Sequence, residues 1–390
     1  HVSRAVHLKD EYMWAPTGIH GGFSAEYVAN IKKCVSIPVI TVGRYTEPQF
    51  AEVMVRTGNA DLVAFGRQSL ADPAMPKKAF EDRLEDMTPC IACLQGCVAN
   101  MYAGKPICCL TNPVLGRESE GMKEAETKKK IYVIGGGPAG MCAAFTAARR
   151  GHDVTLFEAS DVLGGNMRLA AYPPGKGDIT NMIRSYIHRC QKDGVKIVMN
   201  CEVTPELIKE EKPDSVIIAT GSKTLILPIE GIDNPAIIHG SDLLDGKRPA
   251  GKKVLVVGGG MVGCETAAFL GEQEHDVSVI EFRDTVGADV IHEHRVYLMK
   301  DFEDYGIKEI TGAKVCKFYE DGVEYETADG VRHETRGYDS VILSMGFRNY
   351  NPLEEKIKDL VPETHVIGDA IRARRALDAT KEAYEVASRL

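Results

Sequence analysis

The chain has 390 residues, of which 44% are hydrophobic and 26% charged, with 38 glycines and a formal net charge of −9. This composition predicts a glycine-rich α/β protein of roughly two to four domains, and its acidic balance argues against nucleic acid or an anionic membrane as a partner. No apolar run is long enough to cross a bilayer, and eleven cysteines without a small secreted framework indicate a reducing, cytoplasmic location.

The amino-terminal region, residues 1–86, contains a strand–helix–strand unit. Buried strands are predicted at 36–43 and 61–66, with a helix over 47–58 between them. The first residue is not Met, and Val2-Ser3 is typical of the end of a strand already under way. We therefore expect the chain to begin inside a longer protein, because these few strands cannot close a barrel.

Glycine ends both predicted strands of this unit. Gly43 and Gly66 allow backbone N–H groups to approach a phosphate, and Arg67 can hold the phosphate with two hydrogen bonds. Loops after the last strands of a β/α barrel often form such a site. The alternative is a pair of turn glycines with a surface arginine.

Four cysteines follow with the spacing C-x2-C-x3-C-x11-C: Cys90, Cys93, Cys97 and Cys109. This spacing can bring four thiolates to one metal centre, and it suits an iron–sulfur cluster and a structural zinc equally. Cys108 is an ambiguous neighbour, since adjacent side chains diverge and only one of the pair is expected to ligate. Unligated buried cysteines are the third interpretation.

A dinucleotide-binding pattern begins at residue 130. The strand predicted at 130–134 runs into Gly135-x-Gly137-x-x-Gly140, which opens a helix, and Glu158 ends the next strand 23 residues after Gly135. Glycines at these places permit a tight turn, close approach of a pyrophosphate and helix–strand packing, and the acid can bond a ribose diol.

The same pattern returns about 123 residues later. Gly258-x-Gly260-x-x-Gly263 follows a second predicted strand, and Glu281 lies at the position equivalent to that of the first acid. A carboxylate there can bond a ribose 2′-hydroxyl and repels a 2′-phosphate, which favours NADH over NADPH. Arg283 could partly offset this preference.

The order of these motifs resembles that of flavoproteins with two dinucleotide-binding domains. The resemblance implies FAD at the first glycine motif, with contacts from Gly165 and from Arg168, for which a surface ion pair is an equal alternative. It also implies that Asp369 lies near the flavin ribitol, that a helix over 378–389 closes the site, and that the inserted second copy binds NAD(P).

The amino-terminal region resembles the end of an old yellow enzyme barrel. The resemblance rests on Pro38-Val-Ile-Thr-Val-Gly-Arg44, on Ala60-Asp-Leu-Val-Ala-Phe-Gly-Arg67 and on Ala71-Asp-Pro73. It implies the C-terminal portion of a TIM (β/α)8 barrel that binds FMN, with the phosphate held by Gly43, Arg44, Gly66 and Arg67, and it requires the rest of the barrel from preceding sequence.

With this barrel upstream, the cysteine segment resembles 2,4-dienoyl-CoA reductase, 2-enoate reductase and trimethylamine dehydrogenase. That resemblance implies a [4Fe-4S] cluster on Cys90, Cys93, Cys97 and Cys109. The expected segments are a barrel portion over 1–86, an iron–sulfur segment over 87–117, a linker over 118–130, an FAD domain over 131–245 and 352–390, and an NAD(P) domain over 246–351.

The predicted activity is that of a flavin-dependent ene-reductase. Electrons would pass from NADH to FAD, the [4Fe-4S] cluster and FMN, and then to the activated C=C bond of an enoate, enoyl-CoA or enone. The alternatives are an amine dehydrogenase of the trimethylamine dehydrogenase type and an NADH-dependent electron-transfer module. His7 is the candidate proton donor, with an ordinary loop histidine as the stronger alternative and Tyr12 a weaker candidate. A homo-oligomer is compatible with the sequence.

Overall fold

The computed structural model describes residues 1–2 and 13–390, which fall into two compact units. The first unit contains His1–Arg168, Asp178–Gly221 and Asn349–Leu390, and the second contains Leu169–Gly177 and Ser222–Arg348. Across the described residues, no helix combines the length and apolar character needed to span a lipid bilayer.

The amino-terminal region of the first unit contains the predicted strand–helix–strand arrangement. Its elements are α1 (Ala25–Cys34), β1 (Ile40–Thr41), α2 (Pro48–Arg56), β2 (Leu62–Val63), α3 (Arg67–Ala71) and α4 (Met75–Phe80). The two strands pair in parallel, and Val2 forms a further parallel bridge to Thr41. Both strands are shorter than predicted, because a strand extends only as far as a neighbour supplies hydrogen bonds.

The cysteine segment consists mainly of loops. It contains α5 (Val98–Tyr102) and lies between 3-10 turns at Leu84–Asp86 and Glu118–Glu120. The stretch that follows, residues 118–130, is largely exposed.

A parallel five-stranded sheet forms the centre of the first dinucleotide fold. The elements of this fold are β3 (Lys130–Ile134), α6 (Pro138–Arg149), β4 (Asp153–Phe157), α7 (Asn166–Leu169), α8 (Asp178–Lys192), β5 (Lys196–Val198), α9 (Pro205–Glu211), β6 (Ser215–Ile218), α13 (Glu354–Ile357), β17 (Glu363–Val366) and α14 (Ala376–Ala387). The strand order in the sheet is β5-β4-β3-β6-β17. In a sheet of this order, ligands bind where the strand order reverses, next to the central β3.

The second unit repeats the arrangement. Its elements are β7 (Ser222–Thr224), β8 (Ile238–His239), α10 (Gly240–Leu244), β9 (Lys253–Val257), α11 (Met261–Glu272), β10 (Asp276–Ile280), α12 (His292–Asp304), β11 (Lys308–Ile310), β12 (Lys314–Tyr319), β13 (Gly322–Glu326), β14 (Arg332–Thr335), β15 (Ser340–Leu343) and β16 (Phe347–Asn349). Its parallel sheet has the order β11-β10-β9-β15-β8, and the strands β12, β13 and β14 form a separate antiparallel sheet.

The predicted α/β class is confirmed, with two doubly wound folds whose interior strands β6 and β15, next to the central strands, are fully buried. Residues 222–245 belong to the second compact unit, because β8 pairs with β15 of that unit. The five-segment division stays a prediction.

Candidate functional site

The first glycine loop connects β3 to the start of α6. Gly135 has a φ of +109°, and a Cβ there would lie 2.3 Å from the Ala219 carbonyl oxygen, which follows β6. A Cβ on Gly140 would lie 1.8 Å from the Gly135 oxygen. At Gly137, by contrast, a Cβ would meet no atom within 4 Å. The loop is therefore tightly packed where the strand contacts the helix. In front of the first turn of the helix it leaves open space, which is where a pyrophosphate could bind.

Glu158, the acid at the end of β4, holds this loop in place. Its carboxylate accepts hydrogen bonds of 2.8 Å from the Gly136 N–H and from the Ser160 N–H and hydroxyl. A Cβ on Gly136 would lie 3.0 Å from this carboxylate and 2.4 Å from Leu163. Sequence reasoning predicted a ribose contact for Glu158 and missed the loop contact; the glycine at position 136 was the only signal for it.

Gly165 approaches the same helix start from the loop that follows Glu158. It has a φ of +52°, and its added Cβ would lie 3.2 Å from the Cα of Gly137. Arg168 lies in α7, and its N–H donates to the Gly165 carbonyl at 3.1 Å. The structure thus brings Gly165 to the open side of the glycine loop.

Asp369 reaches this region through its neighbour Gly368. A Cβ on Gly368 would lie 3.1 Å from Ala139 in α6 and 3.2 Å from Ala379 in α14. The Asp369 carboxylate accepts a 3.0 Å hydrogen bond from the Arg374 N–H. The predicted terminal helix is confirmed as α14, which packs against α6 and begins seven residues after Asp369.

The second glycine loop has the same geometry between β9 and α11. Gly258 has a φ of +105°, and its Cβ would lie 2.5 Å from the Ser344 carbonyl oxygen; a Cβ on Gly263 would lie 1.7 Å from the Gly258 oxygen. Glu281 accepts hydrogen bonds from the Gly259 N–H at 2.5 Å and from the Arg283 N–H at 3.0 Å. Both acids therefore fix their glycine loops before any ribose binds.

One contact in the second loop was not predicted. Near Gly260, the atoms closest to an added Cβ belong to the Asp289 carboxyl group, at 3.6 Å. The same carboxylate accepts a 2.9 Å hydrogen bond from the N–H of Met261, the first residue of α11.

The predicted cysteine ligands, Cys90, Cys93, Cys97 and Cys109, line one cavity in the first unit, and Cys108 lines it as well. Within the described residues, no three His, Cys, Asp or Glu side chains approach closely enough to hold a single metal ion. That the four predicted ligands line one cavity is what the metal-centre hypothesis requires.

Unusual backbone conformations shape this cavity. Ala92 and Leu94 have φ values of +51° and +57° although neither is glycine. A Cβ on Gly96 would lie 2.4 Å from the Cys108 carbonyl oxygen, and the Cys108 N–H donates to the Gly96 oxygen at 2.9 Å. Only glycine at position 96 lets the two cysteine-bearing stretches approach this closely.

The cysteines of the cavity are half-buried, and four of their thiols have raised pKa values. Burial raises the pKa of Cys109 to about 11, and it also raises the pKa of the Cys93 thiol. The Cys109 sulfur lies 3.3 Å from the Thr111 hydroxyl, and the Asn100 amide donates to the Cys108 sulfur at 3.4 Å. Ligation would therefore release protons, because a metal binds the thiolate.

Gln68 anchors the first cysteine, and no sequence motif pointed to it. Its side chain is 2% exposed. The amide oxygen accepts from the Cys90 N–H at 2.8 Å, and the amide nitrogen donates to the Thr88 carbonyl at 3.0 Å. The short helix α3 thus fixes the entrance of the cysteine loop.

Two arginines, each with a buried side-chain nitrogen, lie beside the cavity. Arg44 forms an ion pair with Asp178 and donates to the Pro16 carbonyl at 3.3 Å, and its side chain is 5% exposed. Burial, together with the positive charge of Arg67, lowers the pKa of Arg44 to about 10. Arg67 lines the cysteine cavity, and its Nη1, like the Nε of Arg44, is buried without a hydrogen-bond partner among the described residues. The two arginines therefore each have an N–H donor that could bind an anion.

The two predicted phosphate glycines differ in their surroundings. A Cβ on Gly43 would lie 2.5 Å from the Ser24 hydroxyl, whereas a Cβ on Gly66 would meet nothing within 4 Å. His7 and Tyr12 lie outside the described residues.

The cysteine segment contacts the first dinucleotide fold within the same unit. The Tyr186 hydroxyl on α8 donates to the Leu110 carbonyl at 3.1 Å, and the Leu377 N–H at the start of α14 donates to the Gln95 amide oxygen at 3.3 Å. These contacts place the cavity beside the helices that surround the first glycine loop.

Comparison with known proteins gives two family matches. The pyridine nucleotide-disulphide oxidoreductase family matches residues 129–365, and the NADH:flavin oxidoreductase / NADH oxidase family matches residues 6–86.

Individual relatives cover almost the whole chain. An NADH oxidase from Thermoanaerobacter brockii is 37% identical over 99% of this chain and 60% of its own length. A cinnamate reductase from Clostridium sporogenes is 34% identical over 98% of this chain and 58% of its own length. The solved structure of 2-naphthoyl-CoA reductase with 2-naphthoyl-CoA superimposes with a TM-score of 0.92 and 33% identity, over 96% of this chain and 57% of that one. The chain thus spans about 60% of the length of these relatives.

Proposed function

The chain belongs to the pyridine nucleotide-disulphide oxidoreductase family, and from this premise we propose that it forms a portion of an NADH-dependent flavoenzyme that reduces an activated C=C bond. The relatives named as reductases of cinnamate and of 2-naphthoyl-CoA support this choice. The substrate would be a small enoate, enoyl-CoA or enone.

The cysteine cavity carries the proposal. It lies in one compact unit with the flavin-family segment and with the first dinucleotide fold. Cys90, Cys93, Cys97 and Cys109 would hold a [4Fe-4S] cluster there. A position between two flavin sites explains why the segment joins these two regions of the chain, whereas a structural zinc would not need that position.

The two arginines beside the cavity support an FMN phosphate site. Arg67 keeps an unpartnered buried donor, and Arg44 keeps one although it pairs with Asp178. Buried guanidinium groups are favourable only when an anion or acceptor satisfies them, and a phosphate with Gly43 and Gly66 at its sides would do so.

The open space at Gly137 and the equivalent strand–glycine loop–helix arrangement at Gly258, Gly260 and Gly263 support two dinucleotide sites. FAD would occupy the first, with Glu158, Gly165, Arg168 and Asp369 around it. NADH would occupy the second, with its ribose at Glu281. The five segments, from the barrel portion at 1–86 to the NAD(P) domain at 246–351, are proposed on the same basis.

The bound groups would supply hydride transfer at the nicotinamide and the flavins and single-electron transfer at the cluster. The residues of this chain would hold these groups in place. The proton donor is proposed to lie in the barrel, with His7 as the candidate from this chain. The many free cysteines support a cytoplasmic location.

An anaerobic titration of the purified native enzyme with NADH tests the proposal. We expect about four iron atoms with one FMN and one FAD per chain, and bleaching of the visible flavin and cluster absorbance by NADH. Zinc in place of iron, or the absence of FMN, would contradict the electron path.

The direction of electron flow needs a second assay. NADH-dependent reduction of cinnamate or of an enoyl-CoA is the expected result. If dimethylamine bleached the flavin without NADH, the enzyme would instead be an amine dehydrogenase. Reduction of artificial acceptors alone, with no enoate, enoyl-CoA or enone turned over, would identify an electron-transfer module.

A further inference from the structure

The loops that follow the two acids are equivalent. Six residues after Glu158, the Gly164 N–H donates to the Gly136 carbonyl at 2.9 Å; six residues after Glu281, the Gly287 N–H donates to the Gly259 carbonyl at 2.7 Å. Each loop is thereby fixed against the middle glycine of its motif. The equivalence allows the next positions to be compared one by one.

Two residues beyond these glycines, the loops differ in charge. The first has Asn166 and the second has Asp289. The Asp289 carboxylate accepts a hydrogen bond from the Met261 N–H at 2.9 Å, which is the first amide of α11. At the equivalent place in α6 stands Pro138, which has no N–H to offer.

The Asp289 carboxylate therefore lies where a dinucleotide pyrophosphate needs to lie. It is 3.6 Å from the Cβ position of Gly260, whereas the space at the equivalent Gly137 is open to 4 Å. Helix N-termini stabilise an anion within the first turn. Two anions cannot share one such position without strong repulsion.

We propose that Asp289 is a built-in competitor for the pyrophosphate of NADH at the second glycine loop. The inference rests on the proposed function, because it concerns the site assigned there to NADH. Binding of the dinucleotide breaks the Asp289–Met261 hydrogen bond and moves the carboxylate away from the helix. Asp289 thus lowers the affinity of the site for reduced and oxidised dinucleotide alike and favours release of NAD⁺.

This role differs from that of Glu281. Glu281 discriminates at the ribose 2′-position and affects NADH and NADPH in opposite directions. Asp289 acts on the pyrophosphate, which is common to both nucleotides, and so changes the affinity for both by the same factor.

Calorimetric titration of the holoenzyme with ADP-ribose and with NAD⁺ tests the proposal, and flavin reduction by NADH is followed separately under anaerobic conditions. Asp289→Asn gives the second loop the residue of the first: it removes the charge and keeps an acceptor. We expect this variant to bind both ligands about two- to tenfold more tightly, by a factor that shrinks as salt is raised. Asp284→Asn, in the same exposed loop, is the matched control and should leave both affinities unchanged.

Unchanged or weaker binding in Asp289→Asn overturns the proposal, because Asp289 would then be a spectator or a ligand of the nucleotide. If NADH reduces the flavin in every variant and all variants bind the dinucleotide with equal affinity, the inference is refuted and the proposed function stands. Tighter ADP-ribose binding without any flavin reduction by NADH supports the inference and refutes the proposed function. Absence of ADP-ribose binding in every variant overturns both.

Discussion

Gly140 and Gly263 occupy equivalent positions in the two glycine loops, and neither leaves room for a side chain. An added Cβ would lie 1.8 Å and 1.7 Å from a backbone oxygen, so the loop or the helix must shift. We expect Gly140→Ala to lower bound FAD and Gly263→Ala to weaken NADH binding, each roughly tenfold. Flavin content and NADH titration measure the two effects separately.

Gly177→Ala is the control for this pair, since its added Cβ would meet nothing within 4 Å. If Gly263→Ala lost FAD while keeping NADH binding, the assignment of the two folds would be reversed.

Gln68 gives a second prediction at the scale of single residues. Replacement by alanine leaves the Cys90 N–H and the Thr88 carbonyl without their partner, at a cost of about 1–3 kcal/mol in the free energy of unfolding. We expect Gln68→Ala to lose iron to a chelator several times faster than the native enzyme. Ser69→Ala, which changes the exposed neighbour, should lose iron at the native rate.

Sequence reasoning could predict the glycines, the two acids and the cysteines as site residues, because each set has a spacing that is typical of a known kind of site. It missed Gln68 and Asp289. Neither belongs to a local pattern. Gln68 forms hydrogen bonds with residues about twenty positions away, and Asp289 accepts a hydrogen bond from Met261, which lies near it only in the folded structure.

At the scale of elements, Asp86 fastens the 3-10 turn at Leu84–Asp86 to α8. Its carboxylate contacts His188 at 2.9 Å, pairs with Lys192, and accepts from Arg83 at 2.8 Å. The hydrogen bonds from Lys192 and His188 hold the pKa of Asp86 well below its usual range. The stabilisation is present above the ordinary carboxyl pKa and is lost as the pH falls through the lowered one.

We therefore expect Asp86→Asn to lower the free energy of unfolding by about 1–3 kcal/mol at pH 7. The difference from the native protein should narrow below about pH 4, because Asp86 then becomes protonated in the unfolded chain. Urea unfolding at several pH values measures this difference in the free energy of unfolding. The exposed neighbour Glu85→Gln should change little, and a constant difference at all pH values would contradict the ionic explanation.

The first two strands of each dinucleotide fold, β3 and β4 and then β9 and β10, could be predicted because each is a largely apolar run of five residues followed by glycine or an acid. The shorter strands and the antiparallel sheet of β12, β13 and β14 have no such pattern and were not predicted. The strands of the amino-terminal region were predicted too long. Apolar residues at 36–43 and 61–66 predict strands of that length, but pairing limits β1 and β2 to two residues each.

At the scale of the whole molecule, the two units should respond differently to loss of the proposed iron–sulfur cluster. The cysteine cavity lies entirely in the first unit. Removal of iron by a chelator should increase hydrogen exchange in the cysteine loop and in the neighbouring α8 and α14, while the sheet around β9 and β10 keeps its protection. Equal loss of protection in both units would show that they unfold together.

The interleaving of the chain decides the order in which the two units can be completed during synthesis. All residues of the second unit precede Asn349, whereas the first unit ends with Asn349–Leu390. The central α6 lies against α14, so the first sheet has neither its last strand, β17, nor this cover until residues 363–387 have been synthesised. The second unit can therefore fold before the first is complete. Under the proposed assignment, a chain truncated after residue 348 would keep the fold proposed for NADH and would lack part of the fold proposed for FAD.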